Sequence, residues 1–245
     1  MTNSALITGA SRGIGLGIAQ RLAGQGYALT VTARDQSRLD AVAADLRAAG
    51  APDVVAVAAD MADPEAAASI AGAHEDRFGS MRALVLNAGV GTAGAVAEFP
   101  MRRFDKTVAV NFAAPFALLQ RSVPLLRKGA ADNPGRGAKV VAISSITGVY
   151  AEANLAVYGA TKAALISLVE TLNLEESGNG IAGTAIAPAY VDTDMSEWTK
   201  DRIPAETMLT VNDVVELADV VLRLSDRAVL SKLVLSRAGT SGYEA

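Results

Sequence analysis

Ala5-Leu6-Ile7-Thr8-Gly9-Ala10-Ser11-Arg12-Gly13-Ile14-Gly15-Leu16 is the stretch whose reading decides the fold. A short apolar run ends in a turn punctuated by glycines. Beyond it Ile14, Ile18 and Leu22 recur on one face of a helix expected over residues 14–25. Strand, tight turn and helix in immediate succession form a phosphate-binding turn. Glycine lets the backbone bend sharply and approach a pyrophosphate closely. The first turn of the helix offers unpaired N–H groups at the positive end of its dipole. The spacing is G-x-x-x-G-x-G, not the G-x-G-x-x-G of many dinucleotide folds.

Outward from this turn the same alternation runs to the end of the chain. Strands are expected over residues 28–32, 54–58, 83–86, 139–143, 181–187 and 233–235. Between them helices are expected over 39–49, from Asp63 onward with Asp63 as N-cap and Pro64 in the first turn, over 101–127 with a break near 111–115, over 155–176 and over 211–224. Residues 132–137 are loop by composition, and 194–204 are loop or short helices. Strands separated by helices imply βαβ units, and right-handed crossovers make the sheet doubly wound. The expected fold is therefore α/β: a doubly wound, Rossmann-like parallel sheet of about seven strands with helices on both faces. Residues 1–245 form one domain with a short substrate lid at about 194–210.

Composition sets outer limits. A chain of 245 residues that is 51% apolar has enough for one large core, and with only 4% aromatic residues that core rests on Ala, Val, Leu and Ile. The net charge of −4, with no basic block, gives no footprint for nucleic acid or an anionic membrane. Without cysteine there are no disulfides, thiolate metal sites or cysteine nucleophiles, and a lone histidine, His74, leaves no metal centre to expect. His74 sits among Ala, Gly, Glu and Asp and is read as an exposed helix residue. The first residues, Met1-Thr2-Asn3-Ser4, do not read as a signal peptide, and no apolar run is long enough to span a bilayer, so the expected location is the cytoplasm.

The chemistry is carried by three residues in the second half. Tyr158 and Lys162 are four apart at a helix start and share one face. A free phenol titrates near 10, too high for acid–base work at neutral pH, and a neighbouring ammonium favours its ionised form. Ser145 stands at the end of the fifth strand, and open α/β sheets bind ligands at strand carboxyl ends. Ser144 is its neighbour and rival.

Taken in order, these motifs resemble the short-chain dehydrogenase/reductase family up to about Thr193. Thr8-Gly9-Ala10-Ser11-Arg12-Gly13-Ile14-Gly15 matches its cofactor turn, and Ser145 precedes Tyr158 by thirteen positions, as the family's catalytic serine does. The resemblance adds Asn111 as the fourth catalytic residue, its amide holding a water near Lys162. It places Asp60, with Met61 beside it, at the adenine, and Asn87, Ala88 and Gly89 at the coenzyme, Asn87 tying strand ends together and Gly89 giving the ribose room. Pro188, Val191 and Thr193 fall at the nicotinamide carboxamide, although Ala189 replaces the usual glycine.

At the end of the second strand, where an NAD-selective site carries a carboxylate, the resemblance puts Ala33, followed by Arg34. With Arg12 this implies NADP(H), because guanidinium groups favour a 2′-phosphate. Asp35 is the contrary feature. The implied protein is an NADP(H)-dependent oxidoreductase acting on a carbonyl or secondary alcohol, either a 3-oxoacyl-carrier-protein reductase or a general carbonyl reductase. Ser145 binds the substrate oxygen, Tyr158 donates its proton, and Lys162 tunes Tyr158 and holds the ribose. Met195 and Trp198 face residues 91–96 and Tyr150 across the substrate. A homodimer or homotetramer is implied, through helices 101–127 and 155–176, which carry more apolar residues than one buried face uses, including Phe112, Phe116, Leu165 and Leu168. The same fold also serves cofactor-sensing regulators without turnover, and isomerases or epimerases. The intact Ser145, Tyr158 and Lys162 argue against a sensor.

Overall fold

The protein is described by a computed structural model covering residues 3–243. The reading of the amino terminus as no signal peptide falls partly on Met1 and Thr2, which lie outside these residues. Seven parallel strands form one sheet in the order β3-β2-β1-β4-β5-β6-β7. They are β1 Ser4–Thr8, β2 Ala28–Ala33, β3 Val54–Ala58, β4 Ala83–Leu86, β5 Ala138–Ile143, β6 Ile181–Pro188 and β7 Lys232–Leu235. Strands β1, β2, β4, β5 and β6 are buried almost throughout, which is why they read as continuous apolar runs and not as alternation.

The strands are joined by α1 Gly13–Gly24, α2 Gln36–Ala48, α3 Ala66–Phe78, α4 Met101–Val108, α5 Ala114–Asp132, α6 Ala156–Glu176 and α7 Val211–Arg223. Ala5 and Ile7 point into a core shared with α1, α2 and α7, whereas Leu6 points into a second core shared with α3, α5 and α6. The period of two in the strands thus feeds both faces. Strand order reverses direction between β1 and β4. That switch point opens a crevice at their carboxyl ends.

Several boundaries differ from the sequence reading. α2 begins at Gln36, before the first apolar residue, because the Asp35 side chain accepts from Arg38 N at 3.1 Å and caps it. α3 begins at Ala66: Asp63 makes a local turn first, its carboxylate accepting from Glu65 N at 2.9 Å. The break in the long fourth helical segment is a π-turn, Ala109–Ala113, and α5 then runs beyond residue 127 to Asp132.

The expectation for His74 is overturned. It is fully buried, with Nδ1 2.8 Å from Thr30 Oγ1 and Nε2 3.1 Å from the Ser80 carbonyl. Its polar sequence neighbours obscured its place on the α3 face that also buries Ile70 and Ala71. Burial pushes the imidazole down to about 4. Among the described residues no helix is long and apolar enough to cross a membrane.

Candidate active site

The crevice at the switch point is held open by side chains that stitch β1 to β4. Thr8 Oγ1 accepts from the N–H groups of Asn87 and Ala88, both at 3.0 Å. Asn87 Nδ2 donates to the carbonyls of Thr8 and Gly9 at 3.0 and 3.1 Å, the strand-tying role read from its motif. A Cβ on Gly15 would lie 2.4 Å from Asn87 Nδ2 and from the Gly9 carbonyl oxygen. Gly15 therefore permits this packing and, unlike Gly9 and Gly13, does not line the cavity.

From the turn a cavity of about 760 Å³ runs past the ends of β1, β4, β5 and β6. Ser11, Arg12, Gly13 and Ile14 line one end, with Arg34, Asp60 and Met61 beside them. No side chain caps the opening of α1 and its first turn carries no acid, so its N–H groups stay available for an anion. Arg34 is exposed at the cavity edge. Asp35 is turned away from that role. It accepts from Arg38 N and from Ser37 Oγ at 2.8 Å, and these bonds hold its carboxyl below the usual range. Arg38, which the sequence reading passed over, donates from Nε to the Ser11 carbonyl at 3.2 Å, so its guanidinium lies against the turn. Arg12 is paired across the cavity mouth with Asp194 at 2.6 Å. These N–H groups and guanidiniums suit a phosphate-bearing dinucleotide.

The reactive end lies where β5 meets α6. Tyr158 sits in the first turn of α6, and Lys162 one turn on is buried, its Nζ 5.6 Å from the Tyr158 ring centre. Lys162 Nζ donates to the Ile143 carbonyl at 2.8 Å. Ser145 Oγ accepts from Thr147 Oγ1 at 2.9 Å. Ser144, the rival hydroxyl, is spent on the Lys162 carbonyl at 2.8 Å and locks β5 to α6.

Burial pushes Tyr158 up to about 12, against a hydrogen bond from Ser145 that favours the ionised form. It also pushes Lys162 down to about 8. Desolvation therefore dominates the phenol, and Lys162 makes no contribution to it. A Cβ on Gly89 would lie 3.5 Å from Lys162 Nζ, so this glycine leaves room in front of the lysine.

The Asn111 Oδ1 accepts from Val90 N at 2.8 Å, and its Nδ2 donates to the Val90 carbonyl at 3.0 Å, so the amide holds the loop after β4.

Pro188, Val191 and Thr193 line the far wall, and Ala189 takes the glycine position buried and without a positive φ. Residues 192–208 leave and return through a bridge between Val191 and Leu209. Met195 and Trp198 line the cavity from this segment, and Gly91, Thr92 and Ala93 face them. Val96 is 77% exposed, and Tyr150 packs edge-on against Tyr243 with ring centres 5.0 Å apart; contrary to expectation, neither lines the cavity. Tyr190, Arg103 and Lys106 do line it and were not singled out in the sequence.

The family model described as short chain dehydrogenase matches residues 3–203. A 3-oxoacyl-[acyl-carrier-protein] reductase of Staphylococcus aureus is 33% identical over 212 residues, covering 86% of this chain and 82% of that protein. The structure of an alcohol dehydrogenase from Thermococcus sibiricus, complexed with 5-hydroxy-NADP, superposes with a TM-score of 0.86 at 27% identity, covering 100% of this chain and 99% of the other. A 3-oxoacyl-[acyl-carrier protein] reductase from Brucella melitensis, in complex with NAD, superposes with a TM-score of 0.85 at 27% identity, covering 96% and 95%.

Proposed function

The chain belongs to the short-chain dehydrogenase family, and from that premise we propose that it is an NADP(H)-dependent ketone reductase. The observation that carries the reading is the meeting of Ser145, Tyr158 and Lys162 on one cavity with the glycine turn. The coenzyme, when bound, supplies or accepts a hydride. Ser145 and Tyr158 hold the substrate oxygen. Tyr158, protonated at neutral pH, gives that oxygen a proton as the carbonyl becomes an alcohol, and takes it back in the reverse direction. Lys162 holds the nicotinamide ribose and supplies the positive charge that steadies the phenolate left behind. Asn111 positions the loop after β4.

Arg34, free at the cavity edge, supports NADP(H) over NAD(H), and so does the engagement of Asp35 as a helix cap. Arg12 completes the phosphate site once it leaves Asp194. Gly9, Gly13, Ile14, Ala88 and Gly89 give the coenzyme backbone room, and Asp60 with Met61 meets its adenine. Pro188, Val191 and Thr193 meet its carboxamide. Residues 194–210 serve as the substrate lid. The chain works as a homodimer or homotetramer, in the cytoplasm.

Purified protein is to be mixed with NADPH and a panel of ketones, 3-oxoacyl esters and quinones, with absorbance at 340 nm followed. Steady oxidation of NADPH by a ketone is expected. Coenzyme binding without turnover across the whole panel would turn the reading toward a sensor.

A further inference from the structure

At the substrate end of the cavity a lining phenol is paired with a carboxylate outside the lining, and the mechanism uses neither. Tyr190 follows β6 and lines the cavity, and its hydroxyl donates to Glu152 Oε1 at 3.1 Å. A phenol has one proton. Since it is given to Glu152, Tyr190 can offer the cavity only lone pairs. The other carboxylate oxygen of Glu152, Oε2, is buried and has no partner. A buried acceptor left unpaired is costly, so the Tyr190 hydroxyl is the partner that holds Glu152 in place.

The pair is held rigidly. On the lid side Tyr190 packs edge-on against Trp198, ring centres 6.2 Å apart, and Arg202 lies over the far ring at 5.9 Å. On the other side the loop carrying Glu152 is pinned by Asn154, which adopts a left-handed φ of 68° and accepts from Gly94 N at 2.8 Å. The burial and the neighbouring carboxylate push the Tyr190 phenol upward, and it lies close enough to Tyr158 for the two to sense each other's charge.

We propose that Tyr190, positioned by Glu152, selects carbonyl substrates that bear a hydrogen-bond donor, a hydroxyl or an ammonium, beside the reacting carbonyl. This deepens the ketone-reductase reading and rests on it. It picks polar ketones over plain acyl chains, because a methylene at that place would leave the phenol lone pairs unpaired.

The test uses isosteric ketones with NADPH. α-Hydroxyacetophenone carries the donor, propiophenone has a methyl in its place, and phenacylamine carries an ammonium. The wild type is expected to favour the hydroxyl or the ammonium ketone over propiophenone by at least about tenfold in kcat/KM. Tyr190→Phe, which keeps the ring against Trp198, should erase the preference, bringing the kcat/KM ratio of each donor-bearing ketone to propiophenone toward one. Glu152→Gln should reduce the ammonium substrate more than the hydroxyl one. Equal use of all three ketones by the wild type would overturn the inference and leave the reductase reading standing. So would a parallel loss of all three in both variants, which marks a purely structural pair. No turnover of any ketone with either coenzyme would remove the reductase reading and the inference together.

Discussion

At the scale of single residues, the site divides into groups whose partners are near in sequence and groups whose partners are not. Tyr158 and Lys162 were legible because one helical turn relates them, and Ser145 because it ends a strand. Arg38, Glu152 and Tyr190 were not legible, since their contacts with Ser11 and with each other span 27 and 38 positions and leave no period in the chain. Asp35 was legible as a carboxylate, but its use as a cap was settled only by where α2 begins. Removing the Tyr158 hydroxyl takes away the proton donor and little else. Tyr158→Phe is therefore expected to lose at least about a hundredfold in kcat, with coenzyme affinity nearly unchanged; a variant retaining most of its turnover would end the acid–base assignment. The pH dependence follows from Lys162, which loses its charge as pH rises through about 8. Reduction, measured as kcat/KM, should be level near pH 7 and fall above about 8, whereas a profile still rising at pH 9 would rule out a charged Lys162 as the working form. Arg34→Asp replaces the free guanidinium with a charge that repels a phosphate. Losing a charge-assisted contact costs about 1.5–3 kcal/mol, less where water screens it, so roughly a ten- to hundredfold shift in kcat/KM toward NADH is expected. An unchanged coenzyme ratio would make Arg34 an ordinary surface charge.

At the scale of elements, helix and strand positions were legible where an apolar face sets a period, and their ends were not, because caps and buried polar contacts fix those. His74 shows the cost of reading a helix by its composition. Its neighbours are polar, yet its imidazole joins α3 to Thr30 of β2 and to the Ser80 carbonyl, with Ser4 Oγ of β1 3.3 Å away. A similar case lies at the far end of the sheet, where a buried lysine opens β5 against all strand preference. Lys139 Nζ donates to the Ser225 carbonyl at 2.8 Å and Arg82 donates to the Leu222 carbonyl at 3.1 Å. Arg136 reaches the Arg223 carbonyl, so three cations close the negative end of α7. For His74 the energetic consequence has a definite sign. The folded value of about 4 lies below the unfolded 6.5, so the unfolded chain binds the extra proton. Stability is complete above pH 6.5 and declines as pH falls toward 4. At 1.36 kcal/mol per unit the loss approaches about 3 kcal/mol. Urea unfolding between pH 7.5 and 4.5 should show a steeper decline for the wild type than for His74→Gln, after allowance for the carboxylates that both share. Parallel declines would mean that the buried imidazole is not the acid-sensitive group.

At the scale of the whole molecule, alternation of strands and helices was enough to read a doubly wound parallel sheet, because βαβ crossovers admit one hand. The position of the crevice follows from the order of strands, which periodicity does not encode. Assembly was read from apolar excess on helices 101–127 and 155–176, and the structure sorts that excess residue by residue. Leu165 is spent inside the protomer, at 2% exposure, and so is unavailable to a neighbour. Phe104 and Phe116 remain on the surface, 38% and 46% exposed, with Met101 at 65%, all on α4 and α5. Scattered apolar side chains are normal on a monomer. Two phenylalanines and a methionine exposed on consecutive helices offer apolar surface for pairing with a second copy across a two-fold axis. A stable pair needs roughly 1,200–2,000 Å² buried in total. Light scattering at micromolar concentration is expected to return twice or four times the chain mass. Phe116→Asp, which sets a charge on the exposed face of α5 without touching either core, should lower that mass by at least half while leaving the far-ultraviolet circular dichroism unchanged. A wild type that elutes at the mass of one chain would show that the exposed aromatics serve no assembly, and an undiminished oligomer in the variant would move the interface away from α5.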